Sequence, residues 1–424
     1  MSGKKNLRKL FVTLSAMFLL IFTMSLTSMA ASKTVASIGS TNYTSLSAAL
    51  KKVKNGETIT LKANVTQTSA LSINRNKNFT LNLNGKKITF SSGKTMKIKS
   101  GTVTITGTGT ITGSGIVVSE GAVLNIKKGT YKQYIESHGT TNISGGTIKG
   151  NSTYGACISN SGKLKITAGT FTASGKRDII DSEGTVTITG GTFTSTSTYN
   201  MLTNGGSGTM TIKGGTFSNT KDQLIAAAGD SVTTVTGGTF TSATSCIYII
   251  ENATVKVKGG TFKHAKVGDV KTSTANVVAN DGGTLAISGG TFTNSKVNSP
   301  LLYNTGKTTI SGSASFKDSG KTGDTVVNEG GTLTIKGGTI TKSGAKNVPL
   351  SVYGGTVKIS GGTIKATNGW EAIYANSGTL KVTGGKLSVK DNYAITVSSS
   401  VKYSIGSGVS FSGISNTGKV NVEE

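Results

Sequence analysis

Carboxylates are the side chains on which polysaccharide chemistry turns, and this chain has few of them. Its 424 residues include 18 Asp and Glu, against 45 Lys and Arg and 2 His. Acid–base cleavage of a glycosidic bond, or Ca²⁺-assisted elimination beside a uronate, needs several carboxylates converging on one spot. The densest local group is Arg177-Asp178 with Asp181 and Glu183. Asp178 and Asp181 flank the apolar pair Ile179-Ile180, so the group reads as a local ion pair plus a turn carboxylate. His138 and His264 lie in different regions, and neither sits at metal-ligand spacing. Ser and Thr abound, but with no partnered His and Asp to activate one as a nucleophile. Cys157 and Cys246 each precede an isoleucine and read as small core residues. The expectation is no catalytic residue, no metal site and no cofactor.

The cations suit a different task. The net charge is +27, and Arg occurs only at Arg8, Arg75 and Arg177. Lys supplies diffuse, hydrated charge rather than the bidentate fork of Arg. A surface this basic attracts anionic polymers over long range, and it also discourages aggregation. The candidate ligand-binding cations are Lys176, Arg177, Lys221, Lys263, Lys266, Lys296, Lys317, Lys321, Lys342 and Lys346. Tyr154, Tyr199, Trp370 and Tyr393 stand near them. Flat rings stack on sugar faces while Lys meets carboxylate or phosphate, so the pattern points to an acidic glycan. Trp370 is the sharpest single candidate because it follows Asn368-Gly369 in a turn.

These residues are positioned by a repeat. The phrase GTVTITGGTF ends at Phe193, and its relatives end at Phe217, Phe292, Ile340 and Ile364. The steps from Phe171 to Phe193, Phe217 and Phe240 are 22, 24 and 23 residues. Such a period is one turn of a three-stranded parallel β-helix, with about 15 rungs over the chain. Strand one alternates, so Val186 and Ile188 point inward and Thr185 and Thr187 outward. Gly190-Gly191 makes a corner, strand two carries Phe193 inward, and a variable loop follows. Strand three is a brief apolar pair such as Ile179-Ile180, Leu301-Leu302 or Val326-Val327.

The return turn often reads Asn-x-Gly, at Asn160, Asn304, Asn328, Asn376 and Asn416, and predicts an interrupted asparagine ladder. The repeat also spreads out the remaining carboxylates. Glu183, Asp230, Asp281 and Glu329 fall on roughly alternate rungs, about 9–10 Å apart. Ca²⁺ needs oxygens at about 2.3–2.6 Å, so neighbours in that series cannot share an ion. Cys157 and Cys246 come out about four rungs, or roughly 19 Å, apart, too far for a disulfide.

The N-terminal part differs. Residues 1–30 have a basic start at Lys4, Lys5, Arg8 and Lys9, an apolar stretch and Ser28-Met29-Ala30, which reads as a secretory signal peptide. No later stretch is apolar enough to span a bilayer. Residues 31–57 read as a strand near Thr34–Ile38 and a helix beginning at Thr44 or Ser45 and ending before Gly56. Leu46, Ala49, Leu50 and Val53 share one face of that helix, which is placed to cover the open end of the solenoid formed by residues 58–424.

The opening Tyr43-Thr44-Ser45-Leu46-Ser47-Ala48-Ala49-Leu50, the segment Leu81-Asn82-Leu83-Asn84-Gly85-Lys86 and the GGTF turns carry a resemblance. The chain resembles the pectate-lyase-like right-handed parallel β-helix proteins, and among them the exported surface proteins of Gram-positive bacteria. The resemblance implies an all-β right-handed solenoid. It leaves activity open, because such proteins include lyases, glycosidases and adhesins. Three functions follow as expectations. The first is a secreted or surface-associated monomer that binds acidic polysaccharide or cell-wall polymer through the Lys-rich loops, with no role in nucleic-acid binding. The others are a polysaccharide lyase or hydrolase, and a passive spacer.

Overall fold

Alternation of small polar and apolar residues governs the structure throughout. In Thr185–Ile188 the two threonines face out while Val186 and Ile188 are buried. The same positions recur one turn away, with Leu164, Val186 and Met210 in register, and Ile166, Ile188 and Ile212 beside them. The computed structural model describes residues 33–150, 155–264, 276–294, 299–415 and 418–424. Within them the chain is a parallel β-solenoid of about 15 turns, 59% strand and 2% helix. Strand one stacks into a first sheet, the GGTF strand into a second, and the short apolar strand into a third.

The Gly-Gly corner has a steric cause at each position. A Cβ on Gly190 would lie 2.6 Å from the Thr167 carbonyl oxygen. Gly191 has φ +109, a conformation that L side chains avoid. The corner delivers the next apolar residue to the core. Phe171, Phe193, Phe217, Phe240, Phe262, Phe292 and Phe316 stack face to face with centroids 4.4–4.9 Å apart. Every ring in the column is fully buried. Tyr131 and Ile148 continue the column upstream, and Ile340, Ile364 and Leu387 continue it downstream.

The first rung is closed as expected. A helix, α1, runs Leu46–Lys52, and the Ser45 hydroxyl accepts from the Ala48 amide at 3.0 Å to cap it. Leu46, Ala49 and Val53 are buried, and Leu50 packs partly buried beside them. Ala36–Ile38 pairs antiparallel with both Thr41–Tyr43 and Thr58–Leu61. The 1–30 leader lies outside the described residues. Among the described residues no helix is long and apolar enough to cross a membrane.

Two buried polar columns run inside the rod. At the end of the third sheet, the Asn280 amide donates to the Asn304 side-chain oxygen at 3.0 Å. Asn304 donates in turn to Asn328 at 2.7 Å. Asn160 joins a neighbouring segment through the Ser182 hydroxyl. Asn376 does not join: Ala375 occupies the ladder position, and Asn376, one residue later, is exposed. Asn416 lies outside the described residues.

The second column was not anticipated. Ser195, Asn219 and Ser242 lie in register, as do Asn294, Asp318 and Lys342. These side chains turn the chain out of strand two. The Asn219 oxygen accepts from the amides of Lys221 and Asp222, and Asp318 accepts from the Gly320 amide.

Lys342 therefore corrects an expectation. Two residues after the inward Ile340, it too points inward, and its relative exposure is 0%. Its ammonium lies 2.9 Å from Asp318 Oδ2 and also donates to the Gly320 carbonyl. Arg177 likewise leaves the surface. It is 3% exposed, and its guanidinium donates to the Ala156 carbonyl at 2.7 Å.

The two columns predict different mutational signatures in thermal or urea unfolding. Phe240→Ala opens a cavity in a full-length stack and should cost about 3–5 kcal/mol. Lys342→Met leaves the Asp318 carboxylate buried without its cation and should cost a similar ~3–5 kcal/mol. Adding Asp318→Leu to Lys342→Met should restore most of that loss, because the buried charge is then gone.

Candidate functional site

The stacked register sorts charge onto sides of the rod. Lys163, Lys165, Lys256, Lys307, Lys358, Lys381 and Lys402 occupy outward positions of the first sheet, all exposed. Lys149, Lys263, Lys317, Lys365 and Lys386 do the same on the second, and Lys213, Lys258 and Lys336 stand at the corner between them. Among the described residues the strands of these two sheets hold two carboxylates: Asp318, which faces inward, and Asp391, exposed near the end of Thr379–Asn392. Lys358 and Lys381 are direct register partners on neighbouring rungs. Like charges so placed repel, and an anion laid across them relieves that cost.

The carboxylates lie on or beside the third sheet. Asp178 and Asp181 are in its strands, as are Glu136 and Glu423. Glu183, Asp230, Asp281 and Glu329 sit in the turns that leave it, and Asp222, Asp324 and Glu371 in the loops that lead into it. Among the described residues no Lys or Arg falls within the third-sheet strands from Ala156–Asn160 to Val420–Glu423.

The loop between the second and third sheets carries the remaining candidates. Lys176, Lys221, Lys321 and Lys346 are exposed there, and Tyr199 is also exposed. Lys263 and Lys317 belong to strands rather than to the loop. Tyr154, Lys266 and Lys296 lie outside the described residues. Lys321 and Lys346 are linked through their backbones one turn apart, and Asn347 next along accepts a bond from Asn368. The lysine edge thus runs into the turn that holds Trp370.

Trp370 and Tyr393 do come together, but with carboxylates rather than lysines. They line a cleft of about 510 Å³ on the C-terminal rungs, with Asp324, Glu371 and Glu423. Tyr353 and Tyr374, which the sequence analysis overlooked, add two rings in edge-to-face contact, centroids 6.4 Å apart. The Tyr353 hydroxyl donates to Asp324 Oδ2 at 3.2 Å. Burial, reinforced by the Asp324 charge, pushes the Tyr353 phenol up to about 12. Glu371 is 8% exposed, and burial holds its carboxyl above the usual range, with Glu423 and Asp324 adding to the shift. A period-two reading from the buried Ile373 would have placed Tyr374 outward. A smaller cavity of about 310 Å³ opens under the cap, between Leu50, Lys51, Lys77 and Phe79.

Two further constellations bear on catalysis. Asp178 is the most perturbed exposed-side carboxylate. Burial raises it to about 6, with Asp181 and Asp222 adding repulsion, while the Thr203 hydroxyl donates to it at 2.6 Å and opposes the rise. Among the described residues no group of three His, Cys, Asp or Glu gathers to hold a metal ion.

The second constellation corrects the sequence reading of His138. Its Nδ1 lies 2.7 Å from the Ser161 hydroxyl and its Nε2 lies 2.8 Å from Glu136 Oε1. The spacing of 23 residues between His138 and Ser161, one rung, is the signal that identifies it. Acyl transfer also needs amide donors aimed at a developing oxyanion. The amides of Ser161 and Gly162 both donate to the Ser137 carbonyl, and the amides of His138 and Gly139 to that of Val118. The donors beside the serine are therefore consumed by the ladder, and the trio is an exposed hydrogen-bond chain.

The cysteines are as the repeat predicts. Both are free and buried, and burial pushes Cys157 up to about 11 and Cys246 up to about 12. Comparisons with protein-family models, curated proteins and solved structures find no significant match. The fold defines the class, a parallel β-solenoid with a cationic side and a carboxylate side.

Asp178 makes a pH prediction. Its folded pKa lies above the unfolded value, so the native state binds the proton more tightly. Stability from this group is present at low pH and is lost as pH rises from the ordinary carboxylate range through about 6. Asp178→Asn should therefore raise the melting temperature at neutral pH, and the gain should vanish as pH falls below about 4. A melting-temperature series over pH for both proteins checks it.

Proposed function

We propose that this protein is an exported, non-enzymatic β-solenoid of the pectate-lyase-like kind, adhesin-like at a Gram-positive cell surface. It binds acidic polysaccharide or anionic wall polymer by charge. The observation that carries the reading is the pair of lysine-bearing sheets, in whose strands the one exposed carboxylate among the described residues is Asp391, near the end of Thr379–Asn392. Lys358 and Lys381 stand on successive rungs, about 4.8 Å apart, while Lys263, Lys317 and Lys365 fall on alternate rungs, about 9–10 Å apart. Those spacings present an extended polyanion with a line of counter-charges, which a compact ligand could not use. Lys321 and Lys346 extend the same field onto the loop edge.

This reading moves the binding surface from the loop edge alone to two faces and their shared corner. It also fits the chemistry of Lys, whose mobile charge suits a polymer of irregular substitution. A passive spacer needs no such sorting of charge. The enzymatic alternative is served less well by the carboxylates. The exposed Ser161 chain has no amide donors to spare, and the Asp178 carboxylate is hydrogen-bonded by the Thr203 hydroxyl.

Binding of the mature chain to polygalacturonate and to isolated cell-wall material tests the proposal. Affinity should fall steeply with salt and be lost near 1 M, where the screening length is about 3 Å. The triple variant Lys358→Glu, Lys365→Glu, Lys381→Glu should bind at least tenfold more weakly with its melting temperature intact. Binding that is unchanged by salt or by these substitutions contradicts the proposal.

A further inference from the structure

We propose that the cleft beside Trp370 is a separate site for an organic ammonium group, of the kind an amino-sugar unit carries. The site does not rest on the polyanion reading, since it selects the opposite charge. Its lining contains no Lys or Arg, although the chain carries a net charge of +27. Three carboxylates, Asp324, Glu371 and Glu423, face the same space. Elsewhere the lysine surface repels a cation; here the field is reversed.

Glu371 points to a ligand independently of the charge count. It is 8% exposed yet lines the cleft, and the donor beside its carboxylate is its own backbone amide. A nearly buried carboxylate without a cation has acceptor capacity left for an ammonium N–H. Asp324, by contrast, is engaged by the Val348 amide and the Tyr353 hydroxyl, and so serves as a fixed negative charge.

The rings supply the second half of the recognition. Trp370 and Tyr353 are each large aromatics left more than a third exposed, at 42% and 37%. Tyr374 and Tyr393 complete a surface on which a sugar ring can stack and over which an ammonium gains about 0.5–2 kcal/mol of cation–π attraction. The loops that carry Trp370 and Tyr393 are tied rung to rung. Asn368 donates to the Asn347 carbonyl, Asn392 donates to that of Gly369, and the Trp370 and Tyr393 amides are held by Asn368 and Asn392. The backbone under Trp370 and Tyr393 is thus fixed in advance, which lowers the ordering cost of binding.

Trp370 is the only tryptophan in the chain, so selectively excited tryptophan emission reports on this cleft alone. The probes are a short glucosamine oligosaccharide, its N-acetylated counterpart of equal length, and an oligogalacturonate. The glucosamine oligomer should change the Trp370 emission saturably, and the other two should leave it unaltered. Glu371→Gln should weaken that response at least tenfold. Because Glu371 is nearly buried, the exposed Glu423→Gln is a second variant that should weaken it about threefold or more while melting as the parent does. An equal response to the N-acetylated oligomer, a response to the oligogalacturonate, or no response to glucosamine overturns the proposal. So does a glucosamine response that both Gln variants retain in full. Loss of polygalacturonate binding in the lysine variant with the glucosamine response intact separates the two sites.

Discussion

One constraint governs this molecule: every residue must tolerate its own equivalent one turn above and one turn below. Parallel strands in register place equivalent side chains within a single inter-strand spacing of about 4.8 Å. Inside, that spacing admits near-parallel, offset aromatic rings, and the phenylalanine column stacks with centroids 4.4–4.9 Å apart. Under the same constraint several buried polar groups are completed by the next rung. Asn280, Asn304 and Asn328 are completed by side-chain amide chains, and Asp318 and Lys342 by opposite charge. The ends, where no neighbour exists, are a liability, and the hairpin and α1 meet that need at the N-terminal rung.

The same register has the opposite effect on the outside. Outward positions are also stacked, so any preference for a residue type becomes a stripe. Threonine and lysine on the first two sheets build a cationic surface, while the short third-sheet strands and their flanking loops collect carboxylates and tyrosines. Charge separation of this kind stabilises nothing by itself, since like charges on successive rungs repel. Its persistence along the rod is the feature on which the proposed polymer binding rests. A ligand that repeats can meet a surface that repeats.

Much of this was legible because the period is strict. Counting 22–24 residues from Phe171 located the core column, and alternation about Val186 and Ile188 set the inward face. The errors came where the same rules were not carried far enough. Lys342 has the neighbours of a loop cation, yet two residues after Ile340 is an inward position. Asn376 looked like a ladder member because its turn has the right letters, but it is displaced by one residue from Ala375. The link between Ser161 and His138 and the meeting of Trp370 with Tyr353 and Tyr374 depend on lateral neighbours across rungs. Local motifs do not encode such neighbours; only the register does. Loop conformation lay beyond reach for the same reason, since Asn347, Asn368 and Asn392 fix it through bonds to other turns.

Lysine-reactivity footprinting distinguishes the two sides of the rod most directly. Acetylation of the mature chain, followed residue by residue by mass spectrometry, would be compared with and without saturating polygalacturonate. The account predicts protection of Lys256, Lys358, Lys365 and Lys381 together with the corner residues Lys213, Lys258 and Lys336. Lys342, sealed against Asp318, should stay unreactive in both conditions. Uniform protection of every exposed lysine, no protection at all, or ready acetylation of Lys342 in the folded chain would contradict it.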